Sequence, residues 1–154
     1  MIRTFLLGLF FALLITCSIS LPAISQEAIK LHNDETLSNF GKQMFLLTDS
    51  SNKLNLKAVL SSKKFKAVDS DVPNLGISNF SYWLKFKVQN NTNDPHLILQ
   101  IPLPTIDYVD FYQLDDQNNI VYKEFIGDRR PYYKRTFDNP FSTFKFSLEP
   151  GKIT

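Results

Sequence analysis

The sequence predicts an all-β domain, a sandwich or a barrel, and three observations carry that expectation. The 154 residues include 14 Phe, 6 Tyr and 1 Trp against only 5 Gly, an aromatic bias that suits pleated, half-buried surfaces better than helices. Apolar and polar residues alternate over short stretches, most clearly where Phe80, Tyr82, Leu84, Phe86 and Val88 interleave with Ser81, Trp83, Lys85, Lys87 and Gln89. Such stretches recur at intervals of about ten to twenty residues with turn-forming residues between them. The length suits one hydrophobic core. A hydrophobic share of 44% with 21% charged residues excludes a wholly disordered chain, and a formal charge of +2 supplies no basic field for nucleic acid.

The first 25 residues read as an export signal. Arg3 is followed by an apolar run from Phe5 to Ile15, then by Ser18, Ser20, Pro22 and Ala23-Ile24-Ser25, so cleavage is expected after Ser25. The run is too short for a membrane-spanning helix, which needs roughly 20 apolar residues. The expected product is an exported domain over residues 26–154, periplasmic or on the outer face of the cytoplasmic membrane. Cys17, the one cysteine, lies within the signal and reads as a small apolar residue rather than a lipidation site. A mature chain without cysteine has no disulfide framework, thiolate metal site or thiol nucleophile.

The mature elements follow in order. Ile29 and Leu31 are the only strand candidates in a polar lead-in. Gln43 to Thr48 reads as a strand stopped by Asp49-Ser50-Ser51-Asn52, whose side chains bond their own backbone in turns. Asn55 is placed to cap a short helix with Leu56, Val59 and Leu60 on one face. A loop through Asp69, Asp71, Pro73 and Gly76 leads to the alternating strand over 80–89, with the Tyr82 and Leu84 face expected toward the core. After the turn Asn90 to Pro95, Leu97, Leu99 and Ile101 resume alternation until Pro102 and Pro104, as an expected antiparallel neighbour of the preceding strand. Further strands are expected over Ile106–Leu114, Ile120–Ile126 and Phe141–Leu148. Leu148-Glu149-Pro150-Gly151 then forms a turn after which a return strand should begin, so the chain reads as a domain incomplete at its last strands.

These pieces occur in a recognisable order. Asp49 to Leu56, Leu75-Gly76 ahead of Tyr82-Trp83-Leu84-Lys85-Phe86, Asn90, Ile106 to Tyr112, Gly127-Asp128 with Pro131 and Arg135, and Leu148-Glu149-Pro150-Gly151 together span roughly Ile29 to Thr154. The set resembles the type-two extracellular domain of bacterial seven-transmembrane receptors with diverse intracellular signalling modules. That resemblance implies a jelly-roll β-sandwich similar to carbohydrate-binding modules, carried outside the membrane part of the same receptor. It implies a ligand-sensing domain, not an enzyme, with a small molecule or glycan as ligand. A free-standing periplasmic carbohydrate-binding or adhesion module is the alternative. Lys85 departs from the family, which more often has Arg there, and so puts a salt bridge at that position in doubt.

Candidate binding residues fall in two places. Trp83 shares a strand face with Lys85 and Lys87, where an indole plane beside polar groups can stack on a sugar ring; covering a sandwich edge is its structural reading. Gly127 to Arg135 is the densest polar and aromatic cluster and lies on a loop. There Arg129, Arg130 and Arg135 are suited to gripping a carboxylate or sulfate while Tyr132 and Tyr133 supply a platform; the structural reading pairs Arg135 with Asp128 to fix the loop. No cofactor, metal or catalytic residue is expected. His32 and His96 lack ligand spacing, Asp115 and Asp116 suit a hairpin turn, and Asp107 and Asp110, at odd separation, do not form a carboxylate pair.

Overall fold

The computed structural model describes residues 26–33 and 35–154. The predicted signal peptide, with Cys17 and the cleavage position after Ser25, lies outside the described residues. Within them the chain forms β1 (Ala28–Leu31), β2 (Phe45–Asp49), α1 (Leu56–Leu60), β3 (Lys66–Ala67), β4 (Ser81–Lys85), β5 (Lys87–Asn90), β6 (His96–Ile101), β7 (Val109–Leu114), β8 (Ile120–Ile126) and β9 (Ser142–Ser147). Single 3₁₀ turns occur at Gly41–Gln43 and Tyr132–Lys134. The fold is all-β and sandwich-like, as the aromatic alternation predicts.

Local chemistry ends the strands where polar residues capture the backbone. The Asp49 carboxylate stops β2 by accepting from the Ser51 amide and hydroxyl at 3.0 and 2.6 Å and from the Leu54 amide at 2.9 Å. Asn55 Oδ1 then accepts the Ala58 amide at 3.0 Å and caps α1, whose buried Val59 anchors this short helix. Asp115 accepts the amides of Gln117 and Asn119, so the acidic cluster between β7 and β8 is a hairpin turn. Asn118 adopts positive φ there.

The strands pair as β1–β5, β3–β2–β4, β6–β9 and β7–β8. All these pairs are antiparallel except β1–β5, which aligns Ile29 with Val88 and Leu31 with Asn90 in parallel. The expected antiparallel pairing of β5 with β6 is not found. β6 runs beside β9 from the His96–Ser147 pair to the Ile101–Ser142 pair, and the turn between β5 and β6 is a crossover. Asn90 builds that crossover. Fully buried, its Nδ2 donates to the carbonyls of Asp94 and Leu148, and its Oδ1 accepts from the Thr92 amide and hydroxyl. After the turn at Gly151 the last residues lie antiparallel to β5, with Val88 and Thr154 exchanging backbone hydrogen bonds. The return predicted after Gly151 therefore begins within residues 152–154.

Val88, Leu97, Phe146 and Leu148 form the buried cluster, with Leu31, Phe86, Leu99, Phe111 and Tyr122 packed against it. This cluster draws on β1, β5, β6, β7, β8 and β9. Phe111 stacks on Phe144 at 4.9 Å and tilts against Phe146 at 5.5 Å, which places the Phe111 and Gln113 face of β7 over β9. Gln113 Nε2 reaches the Ser147 carbonyl at 2.7 Å. The other face of β7 carries Tyr112, whose ring stacks on Trp83 of β4 at 6.4 Å.

That contact inverts the expected orientation of β4. Trp83 lies opposite Leu47, which is 1% exposed, whereas Leu84 is 40% exposed. The Trp83 face is therefore the inner one. The regular strand breaks at Phe86, so that Trp83 and Val88, five residues apart, both turn inward. Lys85 makes no ion pair among the described residues; its ammonium lies over the Phe65 ring at 4.2 Å and the Phe45 ring at 5.6 Å.

Candidate ligand-binding surface

The densest polar and aromatic cluster of the sequence hangs from one backbone position, Gly127. This residue is buried with φ of +144°, and a Cβ there would collide with the Asp107 carbonyl; only glycine lets the end of β8 press against the segment entering β7. The amides of Asp128 and Arg129 then donate to the carbonyls of Ile106 and Asp107 at 2.8 and 3.1 Å. The 127–140 loop and the 102–108 segment consequently form one end of the molecule. Thr154 lies at the other end of β7, where its hydroxyl donates to the Leu114 carbonyl.

Arg130 is used internally. Its Nη1 donates to the carbonyls of Val109 and Ile126 at 2.9 and 3.0 Å, and its Nη2 pairs with Asp110 at 2.5 Å. The guanidinium lies between two rings, 5.3 Å from Tyr108 and 5.6 Å from Phe125. Phe125 meets Tyr112 edge-on at 5.5 Å, which extends the row to Trp83. Burial, then the nearby Asp110 carboxylate, pushes the Tyr112 hydroxyl above its ordinary pKa, with Arg130 acting in the opposite sense. This row of Tyr108, Arg130, Phe125, Tyr112 and Trp83 runs from 60% exposure at Tyr108 to a buried indole Nε1 at Trp83.

Arg135 holds the rest of the loop. Its Nη2 donates to the Gly127 carbonyl at 3.2 Å and its Nη1 to the Asn139 and Pro140 carbonyls at 3.1 and 3.3 Å. The expected Arg135–Asp128 pair is not formed, because the guanidinium finds three inward-facing carbonyls instead. Tyr132 covers it at 4.8 Å and donates its hydroxyl to Asp138 at 2.5 Å, which raises the Tyr132 pKa. Glu124 ties the far side of the loop down by accepting from the Thr136 hydroxyl at 2.8 Å and from Tyr122 at 2.7 Å.

The two arginines therefore hold the consecutive carbonyls of Ile126 and Gly127, each with a partly exposed tyrosine against its guanidinium. Tyr133, 83% exposed, and Arg129, paired with Asp107 through Nε at 3.1 Å, face solvent on the same loop. Of the predicted residues, the structure brings Arg129, Arg130, Tyr132, Tyr133 and Arg135 together at one end and links Trp83 to them only through Tyr112 and Phe125. Tyr108, Phe125 and Asp110 are not among the binding residues that the sequence picks out. Their signal was present: Asp107 and Asp110 bracket Tyr108, matching Arg129-Arg130 in number and charge.

The remaining candidates lie elsewhere. His32 pairs with Glu35 at 3.3 Å, and His96 sits 3.4 Å from the Ser147 hydroxyl. An open recess of about 260 Å³, lined in part by Ile29, Leu37, Asn39 and Phe40, contains none of the predicted residues. Among the described residues no three acidic, histidine or cysteine side chains gather as metal ligands, and no helix is long and apolar enough to cross a membrane.

Comparison with curated proteins finds no match. A family described as 7TMR-DISM extracellular 2 matches residues 41–154, a span that runs from the Gly41 turn through all of β2 to β9. The chain therefore belongs to the 7TMR-DISM extracellular 2 family, the extracellular sensor domains of seven-transmembrane receptors.

Proposed function

We propose that this domain senses a saccharide by stacking, without acting on it chemically, and that the stacking surface is the aromatic end around Gly127. The observation that supports this most directly is the pair of tyrosines held against arginines, Tyr108 over Arg130 and Tyr132 over Arg135. A tyrosine fixed in this way loses little freedom when a sugar ring settles on its outer face, so most of the contact energy is available for binding. Trp83 acts behind this surface, as the buried end of the same aromatic row.

Four of the carboxylates around the surface are already engaged. Asp107 and Asp110 pair with Arg129 and Arg130, Asp138 with Tyr132 and Glu124 with Tyr122 and Thr136. Such an arrangement suits recognition better than general acid and base work. Occupancy would alter the receptor through unequal affinity for two arrangements of the domain against its membrane part. A glycan array probed with the wild-type chain and with Tyr108→Ala and Tyr133→Ala tests the reading. Binding that falls at least about tenfold in Tyr108→Ala is expected; an array on which wild type binds nothing overturns it.

A further inference from the structure

We infer that the saccharide read at this end is an acidic one, whose carboxylate is taken by Arg129 while its ring lies against Tyr108. The inference rests on the saccharide reading and deepens it. Arg129 differs from the other two arginines among the described residues. Arg130 and Arg135 spend their terminal nitrogens on carbonyls and on Asp110, whereas Arg129 meets Asp107 through Nε, its Nη1 and Nη2 make no hydrogen bond among the described residues, and its side chain is 67% exposed.

The geometry orients that open edge. Asp107 pairs with the Nε side of the guanidinium at 3.1 Å, and the Arg129 backbone amide donates to the Asp107 carbonyl at 3.1 Å, so the backbone and the head group of Arg129 both meet the residue before Tyr108. A guanidinium gripped along Nε keeps its two terminal nitrogens for a second bidentate partner, and a planar carboxylate matches that fork. Holding the fork in place beforehand lowers the ordering cost of the second contact.

Charge at this end is close to balanced, with Arg129, Arg130, Lys134 and Arg135 set among Asp107, Asp110, Glu124, Asp128 and Asp138, so the preference for an anion rests on the open fork of Arg129 and not on a net field. Arg130 also lies 5.3 Å behind the Tyr108 ring and draws its π electrons inward, which lowers the repulsion that a bare ring face exerts on an anion. A uronic acid combines the two parts that this corner offers to bind, a ring for Tyr108 and a carboxylate one residue away.

The test measures binding of the wild-type chain to oligomers of galacturonate, mannuronate and glucuronate and to their neutral parent oligosaccharides, by calorimetry. Arg129→Gln and Tyr108→Ala serve as variants, with circular dichroism to confirm an unchanged fold. At least one uronate is expected to bind more tightly than its neutral parent, to lose at least about tenfold in Arg129→Gln and to weaken as salt is added. Uronate and neutral sugars bound equally, or a uronate preference untouched by Arg129→Gln, would overturn the acidic reading and leave saccharide sensing standing. If no oligosaccharide of either kind binds, both readings fall together.

Discussion

The rings of Trp83 and Tyr112 stack across two different sheets, with centroids 6.4 Å apart and planes inclined by 22°. The pair joins the β3–β2–β4 sheet to the outer face of the β7–β8 hairpin, whose inner face already packs on Phe144 and Phe146. The hairpin is therefore held from both sides, and its loop end is displayed on a fixed base. Trp83 contributes through its ring, because its buried Nε1 has no hydrogen-bond partner. Trp83→Ala should cost about 3 kcal/mol through lost packing, whereas Trp83→Phe, which keeps a ring and removes the orphan donor, should cost about 1 kcal/mol. Urea unfolding of the two variants measures the difference. Equal losses would show that the indole is bonded rather than simply packed.

Asn90 ties together the β5 to β6 crossover, the Leu148 carbonyl at the end of β9 and the final residues of the chain. Replacing it with alanine strands the buried Leu148 carbonyl and removes the acceptor of the Thr92 amide, while the Asp94 carbonyl keeps the Thr92 hydroxyl as a donor. A loss of about 3 kcal/mol is expected, read as a lower denaturant midpoint. Asn90→Asp should do no better, since a carboxylate has no hydrogens for the two carbonyls.

Gly127→Ala should destabilise by about 2 kcal/mol or more, because the residue combines positive φ with contact against the Asp107 backbone. Gly76→Ala is the milder comparison, since its φ of +63° lies in the left-handed region that alanine can enter and no atom lies within 4 Å of the added Cβ. Its thermal midpoint should fall less than that of Gly127→Ala, which combines a more strained φ with collision.

Arg135→Gln should release residues 128–140 without unfolding the sandwich, since its three carbonyl partners all belong to that loop or its root. Hydrogen exchange should speed up there and stay slow in β6 and β9. Arg135→Lys should not rescue the loop, because a single ammonium cannot reproduce the planar fork.

Stability should depend on pH at both extremes. Hydrogen bonds, first from the Ser51 hydroxyl and then from backbone amides, hold the Asp49 carboxyl below its ordinary pKa of 3.8, against the opposing effect of burial. The folded state therefore binds fewer protons than the unfolded state near and below that value, and this stability is complete above it and disappears as the pH falls further. Asp49→Asn should flatten the acid limb. Burial, with help from Glu124, pushes Tyr122 from 10.0 up to about 12. The folded state there keeps a proton that the unfolded state releases, so stability declines between pH 10 and 12. Tyr122→Phe should reduce that slope, leaving the contributions of Tyr112 and Tyr132, whose hydroxyls are also raised. Chemical denaturation followed across the pH range checks both limbs.

Much of this was legible in the residues alone. Alternation over 97–101 and 142–147, the Asp49 and Asp115 turns and the Asn55 cap are decided by neighbours within a few positions, and short-range chemistry of that kind is written in the chain. The ordered pieces around Tyr82, Asn90, Gly127 and Gly151 identified the family for the same reason. Tertiary structure alone decided which face of β4 turns inward. Tyr82 and Leu84 on one side and Trp83 on the other are all bulky, so a period of two marks a strand there without marking its core side. It also decided that β6 pairs with β9 and β1 with β5, choices made by contacts tens of residues apart. The binding surface divides in the same way: the arginines and tyrosines of residues 129–135 could be picked out by type, but which guanidinium is consumed and which stays open depends on carbonyls and carboxylates that only folding brings within 3.3 Å.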